Sequence, residues 1–566
     1  MPAWGDSSVW RVLDTEFADG ARFFACWADW LKDSRPHRVL HYVALASRPP
    51  DTAALLAKQQ AHGRLAQHAA EFARQWNGLE PGFQRLELCA GRVLLTVCLG
   101  HLPAMLREQQ FMADAIVLAD PADPADPDGC AGAPLWDRWN LKALARLCRR
   151  GTSFQVIKPS PALLDTLTRI GVVLDDTATD VGRQGLFDPQ WEPGNSRHLW
   201  RRDAPMPSDC AVVGAGLAGA TSAAALARRG WRVTVLDTSP TPAAGASGLP
   251  AALMVPQLSR DDNTRSRLSR AGVNLTRQWC AALLRNGEDW APVAVRQLFP
   301  ANPHAEPVWH AGAAWIKPGR LVQACLDQPG VQFAGGASVD RAVRYQDCWA
   351  LLDADGKELC RASQLVLAAA SGTVPLSRRL RCADGQPLPG LAMLRPMQEV
   401  GGQISWGVQR NSDAGQFPTE PVNGRGHFLA HVPTDGARAW FLGATYEFAP
   451  APRPDETTGH RENLERLGQL LPATAAALAE RFQSGDLRSW HGTRCTTTDR
   501  LPAVGPMQTG AAPCVWMSAG MGSRGLTYAV LGAELLAAQL GGEPLPVAAS
   551  LARLLLAARP GLSDHL

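Results

Sequence analysis

The sequence predicts an α/β and α+β protein in two parts. Strand-like and helix-like patterns alternate over residues 1–190, which is typical of a parallel sheet covered by helices. Residues 191–208 are rich in Pro, Trp and Arg and have no periodicity, so we interpret them as a linker. A glycine-rich strand–turn–helix–strand unit opens the second part, which covers residues 209–566.

Bulk composition indicates a globular protein with a large core. The chain has 566 residues, of which 46% are hydrophobic and 19% are charged, so two or three domains are expected. A net charge of +3 neither demands nor excludes a polyanionic partner. Thirteen cysteines occur without CxxC pairs, so we predict reduced thiols and no metal site. We also expect a cytoplasmic protein, since neither a signal peptide nor an 18-residue apolar run is present.

The first part is predicted to alternate between strands and helices. Its strands are short apolar runs, and its helices have apolar residues at helical spacing. The predicted strands are residues 9–13, 38–45, 92–99 and 113–118, and the predicted helices are residues 22–31 and 53–75.

A dinucleotide-binding fingerprint begins the second part. An apolar strand leads into GAGLAG at 214–219, a helix follows, and a second strand ends at Asp237. In such a unit Gly214 makes the tight turn, Gly216 lets the backbone approach a pyrophosphate, and Gly219 allows close helix–strand packing. Asp237 is placed to accept a hydrogen bond from a ribose hydroxyl. The sequence therefore predicts a bound adenine dinucleotide.

The rest of the second part is predicted to add a mixed-sheet layer to the nucleotide-binding fold. Residues 363–370 and 439–444 are apolar and strand-like, and Asp355-Gly356 is a hairpin signal. A second glycine turn at 520–526 follows a strand and opens a helix. Its N–H groups either contact the flavin end of the dinucleotide or simply start a helix, and both interpretations remain open.

Several segments after residue 209 resemble one family in order and spacing. They are the fingerprint, GASG at 245–248, MVPQLS at 254–259, AWIKP at 314–318, GQIS at 402–405, GATY at 443–446, RCTTTDRLP at 494–502 and GSRGL at 522–526. The chain resembles the MnmC family of bifunctional tRNA-modifying enzymes, whose oxidoreductase half belongs to the glycine/D-amino-acid oxidase group of FAD enzymes.

The resemblance implies an FAD-binding Rossmann domain with an inserted mixed-sheet substrate domain. It implies oxidation of the carboxymethylaminomethyl group of a wobble uridine in tRNA, with release of glyoxylate. Arg494 and Arg524 are the candidates for gripping the carboxylate, because guanidinium binds it bidentately, although each could instead form a structural ion pair. Tyr446 either lines the pocket or belongs to the core. The expected FAD-binding residues are Gly214, Gly216, Gly219, Asp237, Ser247, Gly248, Gly522, Ser523, Gly525 and Leu526.

Residues 1–190 resemble the family's Rossmann-like methyltransferase half in a degenerate form. The family's glycine-rich loop GFGxGxNFL is EFADGARFF here, at 16–24. Ala46 and His101 stand where the family has acids after two strands. Each lost charged hydrogen bond costs roughly 1.5–3 kcal/mol. S-adenosylmethionine is therefore a doubtful cofactor, and we expect methyl transfer to be weakened or lost.

The partner that the resemblance implies is tRNA, with no DNA and no membrane partner. Residues 197–202 and Arg260, Arg265, Arg267 and Arg270 are basic enough to contact a phosphate backbone, or they form a solvated face balanced by nearby acids. A monomer is compatible with the sequence, which leaves the oligomeric state open. Two rival functions also remain: a small-molecule glycine or sarcosine oxidase, and a tRNA-binding scaffold with structural FAD.

Overall fold

The computed structural model describes residues 4, 7–32, 38–76, 79–119, 135–176, 182–191, 205–299, 302, 305–392, 394–413, 415–448, 455–508 and 514–559. Contacts divide the chain into two units. Unit 1 comprises Met1–Met206 and Ala537–Arg553, and unit 2 comprises Pro207–Leu536 and Leu554–Leu566. Residues 537–553 cluster with unit 1, unlike the predicted boundaries, because Arg11 and Arg85 donate to the carbonyls of Gly541 and Pro544.

Unit 1 is built on a single eight-stranded sheet. Its strands are β1 Val9–Asp14, β2 Val39–Ala46, β3 Gly82–Leu88, β4 Val93–Leu99, β5 Ala113–Ala119, β6 Cys148–Ile157, β7 Val172–Leu174 and β8 Arg183–Phe187. Its helices are α1 Ala21–Trp30, α2 Thr52–Ala61, α3 Ala69–Trp76, α4 Leu102–Arg107, α5 Arg138–Ala145 and α6 Pro161–Arg169. The strand order is β3-β4-β2-β1-β5-β6-β8-β7.

The centre of this sheet is parallel, as predicted, and its edges are antiparallel. Strands β4, β2, β1, β5 and β6 run parallel, whereas β3, β7 and β8 pair in antiparallel hairpins. The single helix predicted over residues 53–75 is wrong. It is broken between α2 and α3, because His62 after α2 takes an extended conformation and a short 3-10 turn intervenes.

Unit 2 contains a nucleotide-binding sheet and a large second sheet. Its strands are β9 Asp209–Val213, β10 Arg232–Asp237, β11 Ala252–Met254, β12 Trp290–Pro292, β13 Val295–Gln297, β14 Val308–His310, β15 Ala314–Ile316, β16 Val331–Gly335, β17 Arg341–Tyr345, β18 Cys348–Leu352, β19 Glu358–Ala362, β20 Gln364–Leu367, β21 Leu380–Cys382, β22 Gln398–Val408, β23 Val422–Gly424, β24 Gly426–Thr434, β25 Ala437–Gly443, β26 Glu447–Phe448, β27 Arg488–Thr496, β28 Ala503–Pro506 and β29 Val515–Ala519.

The helices of the second part of the chain are α7 Leu217–Ala227, α8 Thr264–Leu283, α9 Pro318–Leu326, α10 Thr373–Ser377, α11 Glu456–Leu470, α12 Pro472–Ser484, α13 Gly525–Gly541 and α14 Ala549–Arg553. The division between the two units falls inside α13, and α14 clusters with unit 1.

The nucleotide-binding sheet has the order β16-β10-β9-β20-β29-β28. All of its strands are parallel except β28, which pairs with β29 in the antiparallel sense. The four-stranded sheet β19-β18-β17-β21 contains the hairpin that Asp355-Gly356 predicted, since β18 and β19 flank that turn. The mixed α/β and α+β fold class is thus confirmed.

The second large sheet has two differently covered faces. Its order is β14-β13-β23-β24-β25-β22-β26, with β27 also pairing with β22. Helices α11 and α12 pack on one face, where Phe428, Trp440 and Leu467 form a buried cluster. We call the other face the substrate face; there Ile404 and Phe441 pack with Trp315. Side chains alternate between the faces along each strand. Within the described residues, no helix is long and apolar enough to span a membrane.

Candidate cofactor and substrate site

The fingerprint glycines are required for different reasons. Gly214 has a φ of 111°, and a Cβ there would lie 2.4 Å from the carbonyl oxygen of Ala368. A Cβ on Gly219 would lie 1.8 Å from the Gly214 carbonyl oxygen. The fold itself therefore demands both glycines. Gly216 has an ordinary φ of −82°, and its Cβ would meet only Ser247 Oγ, at 3.2 Å. The fold does not demand Gly216.

Polar side chains brace the same loop. The Asp237 carboxylate accepts from the backbone N–H of Ala215 at 2.7 Å and of Ser239 at 2.8 Å. Ser247 Oγ accepts from the N–H of Leu217 at 2.9 Å, in the first turn of α7. Asp237 thus holds the loop shape, and each of its oxygens keeps a second lone pair for a ribose hydroxyl.

The second glycine turn lies beside the first. Gly520 and Gly522 have positive φ values of 73° and 57°, and α13 begins at Gly525. A Cβ on Gly525 would lie 3.4 Å from Leu217 Cδ1. Leu526 is buried, and its carbonyl accepts from the Thr276 hydroxyl at 2.7 Å. The starts of α7 and α13 are therefore neighbours, and both direct backbone N–H groups to one region.

These segments fit FAD. The cradle at Gly216 is one that a larger side chain would fill, and helix N-termini favour the negative pyrophosphate. Gly248 and the exposed Ser523 lie in the two loops that approach β27. A Cβ on Gly248 would lie 3.9 Å from Trp490 Nε1, and Met521 bridges to Thr496. The two loops thus lie against the strand that carries Arg494.

The Arg494 guanidinium lies over Gly402 on the substrate face. Gly402 pairs with Gly492 on β27, and Gly443 pairs with Ile404 on β22. The Nη2 of Arg494 lies so close to Gly402 that a Cβ there would be 2.3 Å away. Strand glycines mark places where another group approaches the backbone closely. Here the missing side chain of Gly402 leaves room for the guanidinium, whereas a Cβ on Gly492 would meet Trp490 and a Cβ on Gly443 would meet Ile404.

The guanidinium of Arg494 has unused hydrogen-bonding capacity. Its Nη1 is shielded from solvent and has no hydrogen-bond partner, and no ion pair joins it to a carboxylate among the described residues. Its Cζ stacks 4.8 Å from the centre of the Tyr446 ring. Burial lowers the pKa of Arg494, with Tyr446 and Glu447 opposing the shift. This arrangement suits an anionic ligand rather than a structural ion pair.

The structure also gives the positions of Arg524 and Tyr446, the other two predicted substrate-binding residues. Arg524 is half-buried at the start of α13 and lies near Tyr528, whose pKa is raised by burial and lowered in part by Arg524. Tyr446 is 53% exposed, so it does not belong to the core, and its part in the pocket stays a prediction. In the family-like segment at 314–318, Lys317 is the N-cap residue of α9 and donates its backbone N–H to the Asp289 carbonyl at 2.9 Å.

Two groups near Arg494 were not predicted as site residues. His427 lies on the substrate face, since it pairs with Gly443. The Glu447 carboxylate accepts from His491 Nε2 at 2.8 Å on the opposite face, next to Gly401. In the sequence, no spacing to a partner residue distinguishes His427 from the other histidines. Of two others, His101 is exposed just before α4, and residue 304 lies outside the described residues.

In unit 1, the loop after β1 is closed by its own side chains. The Arg22 guanidinium donates to both Asp14 oxygens at 3.1 Å and to the Glu16 carbonyl. Tyr42 donates to Asp14 at 2.6 Å. Burial raises the pKa of Asp14, with Arg22 and Tyr42 opposing the shift. The Phe17 side chain is buried and joins an aromatic cluster. The loop's polar groups are thus largely engaged within the protein.

S-adenosylmethionine does not fit these residues. Ala46, at the end of β2, is buried and has no side chain that accepts a ribose hydroxyl. The adjoining pocket is lined mainly by apolar side chains. Its polar members are Thr15, which accepts from the Ala119 N–H, and Asn140, which donates to the Leu135 carbonyl. Neither Ala46 nor this pocket offers the carboxylate that the cofactor needs.

One group of potential metal ligands comes together in unit 1. Cys89 Sγ lies 3.6 Å from both ring nitrogens of His68, and His68 Nδ1 lies 3.4 Å from Glu71. The Glu71 carboxylate already accepts from the Cys89 N–H at 3.1 Å. Burial raises the pKa of the Cys89 thiol to about 11, so it stays protonated at neutral pH. We assign no ion here, and the absence of a metal stays a prediction.

Known proteins resemble the whole chain. The family described as FAD dependent oxidoreductase matches residues 209–290 and 282–539. The tRNA 5-methylaminomethyl-2-thiouridine biosynthesis bifunctional protein MnmC of Albidiferax ferrireducens is 45% identical, covering 100% of this chain and 95% of that protein. The protein of that name from Polaromonas naphthalenivorans is 41% identical, covering 96% of this chain and 89% of its own length.

Among solved structures, glycine oxidase from Geobacillus kaustophilus covers 63% of this chain and 99% of its own, at 17% identity and a TM-score of 0.47. The matches to curated relatives extend over both units, and the oxidoreductase match spans more than half of the chain. The chain belongs to the MnmC family, and its second part is an FAD-dependent oxidoreductase.

Proposed function

We propose that this protein oxidatively removes the carboxymethyl group from 5-carboxymethylaminomethyl(-2-thio)uridine at the tRNA wobble position, leaving aminomethyl-uridine. FAD, when bound, accepts a hydride from the CH2 of that group. Water then hydrolyses the resulting substrate imine, which releases the aminomethyl-uridine and glyoxylate. The observation that carries the proposal is the Arg494 guanidinium, which lies over Gly402 with a shielded, unpartnered Nη1.

The protein's part in this reaction is to orient the substrate. Arg494 would hold the carboxylate through two parallel hydrogen bonds, which turns the adjacent CH2 toward the cofactor loops. Those loops are the starts of α7 and α13. Tyr446, partly exposed beside Arg494, presents a ring on which a neighbouring base can stack. Arg524 is the second candidate for binding the substrate carboxylate through its positive charge.

The domain assignment that goes with this function is also a proposal. We assign residues 1–190 to a degenerate methyltransferase-like domain, 191–208 to a linker, and 209–566 to the oxidoreductase. The two contact-based units support a division near residue 206. They differ from the proposed domains at residues 537–553, which cluster with unit 1.

The tRNA would be attracted by basic residues near the site. Arg260, Arg265 and Arg267 are exposed at or near the start of α8, whereas Arg270 pairs with Asp262 at 2.5 Å. The predicted basic segment 197–202 lies outside the described residues. Three exposed arginines on one helix start give a small phosphate-contacting surface.

The direct test is mass spectrometry of tRNA nucleosides from a strain that lacks the gene. We expect carboxymethylaminomethyl-uridine to accumulate and its aminomethyl derivatives to disappear. Purified protein should convert such tRNA with one glyoxylate released per uridine. Free glycine and sarcosine are the control substrates. Turnover of either amine without turnover of tRNA would establish the small-molecule oxidase, and flavin without any turnover would favour a scaffold.

A separate prediction concerns unit 1. Titration calorimetry should detect no binding of S-adenosylmethionine, because Arg22 and Phe17 close the loop and Ala46 lacks a carboxylate. Contacts with the cofactor are lost at three places: the loop at 16–24, Ala46 and His101. A loss of roughly 1.5–3 kcal/mol at each place weakens binding by several powers of ten. Labelled S-adenosylmethionine and aminomethyl-uridine tRNA provide the activity assay. Micromolar binding with methyl transfer would show that the enzyme is still bifunctional.

A further inference from the structure

His427 lies on the same sheet face as Arg494. His427 on β24 pairs with Gly443 on β25, Gly443 pairs with Ile404 on β22, and Ile404 pairs with Trp490 on β27. Directly paired residues point to the same side of a sheet, and so do residues two apart along a strand. Because Arg494 is four residues from Trp490, its side chain points to the side of His427.

Arg494 extends toward His427 across this face. Its Nη2 lies over Gly402 on β22, where a Cβ would also meet the Thr445 carbonyl oxygen at 2.7 Å. The guanidinium therefore lies over β22, where the chain that follows β25 also comes close, and β25 is the neighbour of β24. Its charge is felt at His427, where burial first and Arg494 second lower the imidazole pKa to about 4.

Both side chains carry a shielded nitrogen without a hydrogen-bond partner. These atoms are Arg494 Nη1 and His427 Nε2. Buried polar atoms in native proteins are mostly hydrogen-bonded, so two unpaired nitrogens on one sheet face are consistent with a ligand that binds there. A guanidinium only donates, and the nearby imidazole is neutral at pH 7 and able to donate from Nε2. A ligand that satisfies both nitrogens needs two acceptor sites and a negative charge.

We propose that His427 is a second carboxylate-binding residue, which donates from Nε2 to the substrate carboxylate that Arg494 holds. This deepens the proposed function and rests on Arg494 as the carboxylate grip. A neutral imidazole adds a directed hydrogen bond without a second positive charge beside the guanidinium. Since the aminomethyl product has no carboxylate, the pair favours substrate over product and lets the product leave.

The test uses the FAD-loaded full-length protein and acetate as the probe, with binding followed by the flavin absorbance spectrum. His427→Leu removes the donor and should weaken acetate binding about 10- to 100-fold. The matched control is His460→Leu. His460 lies on α11 against Ser405, on the opposite face of the same sheet, so its loss should leave acetate affinity unchanged.

Two further variants keep the test decisive if His427→Leu fails to fold. The amide nitrogen of His427→Gln reaches the position of Nε2 and should retain near wild-type acetate affinity, whereas the shorter His427→Asn should not. Equal acetate affinities in wild type, Gln and Asn variants would overturn the proposal. Acetate binding reports on His427 even if tRNA proves not to be the substrate, so the two proposals fail separately. On tRNA, His427→Asn should raise KM more than it lowers kcat.

Discussion

The Gly216→Val variant should purify folded but without FAD, and therefore without oxidase activity. The backbone at Gly216 has φ −82° and ψ −174°, which valine adopts without strain. A Cβ there would meet only Ser247 Oγ, at 3.2 Å, and that side chain can move. The branched side chain would instead fill the cradle in which backbone approaches the pyrophosphate. Flavin absorbance relative to protein, with a thermal melt, measures both properties.

Two controls separate cofactor loss from misfolding. Gly468→Val, in α11, has open space around its Cβ and should keep its flavin. Gly219→Val should lose fold and flavin together, because its Cβ would lie 1.8 Å from the Gly214 carbonyl oxygen. A Gly216→Val protein that stays yellow with a full flavin spectrum would show that the cofactor is wrongly placed.

The second large effect is expected when Arg494, the proposed carboxylate-binding residue, is replaced by lysine. Arg494→Lys keeps the positive charge but loses the planar fork, so one charge-assisted hydrogen bond to the carboxylate is lost. Such a bond is worth roughly 1.5–3 kcal/mol, which corresponds to about a 10- to 100-fold fall in kcat/KM. FAD content should not change, since no fingerprint residue contacts this side chain in the described structure. Steady-state kinetics on carboxymethylaminomethyl-tRNA provide the measurement.

Two further arginine-to-lysine variants serve as comparisons for Arg494→Lys. Arg488→Lys, on the same strand with its guanidinium 4.9 Å above Trp406, should leave turnover unchanged. Arg524→Lys tests the other candidate, at the start of α13. At least one of Arg494→Lys and Arg524→Lys should slow turnover, and we expect the larger effect from Arg494. Unchanged kinetics in both variants would remove both residues from the substrate site.

Much of the fold follows from local signals. The fingerprint strands and helix lie where the glycine spacing predicts them, from β9 through α7 to β10. The strands of unit 1 that the apolar runs predict are all present. The exception is the helix expected over residues 53–75. The helix stops at His62, whose backbone is extended and which Gly63 follows, and a 3-10 turn separates it from α3.

The candidate site was only partly visible in the sequence. Arg494 and Tyr446 were named from the resemblance, the fingerprint residues were named from glycine spacing, and the parts of all of them stay predictions. Family motifs included Gly402 and Gly443, but nothing in them indicates that these glycines share a face with Arg494 and Gly492. His427 looked like any other histidine. Its neighbours on the substrate face come from strands 16 to 67 residues away in the chain.

The sequence by itself determined the βαβ nucleotide fold, the family, the cofactor and the degenerate loop of unit 1. Each of these depends on residues that are close together in the chain, where turn geometry and strand and helix periodicity act locally. Tertiary structure alone decided which residues share one face of the second large sheet with Arg494. Strand register sets that face, because a shift of one residue moves every side chain to the opposite side, and register across distant strands is set by long-range packing.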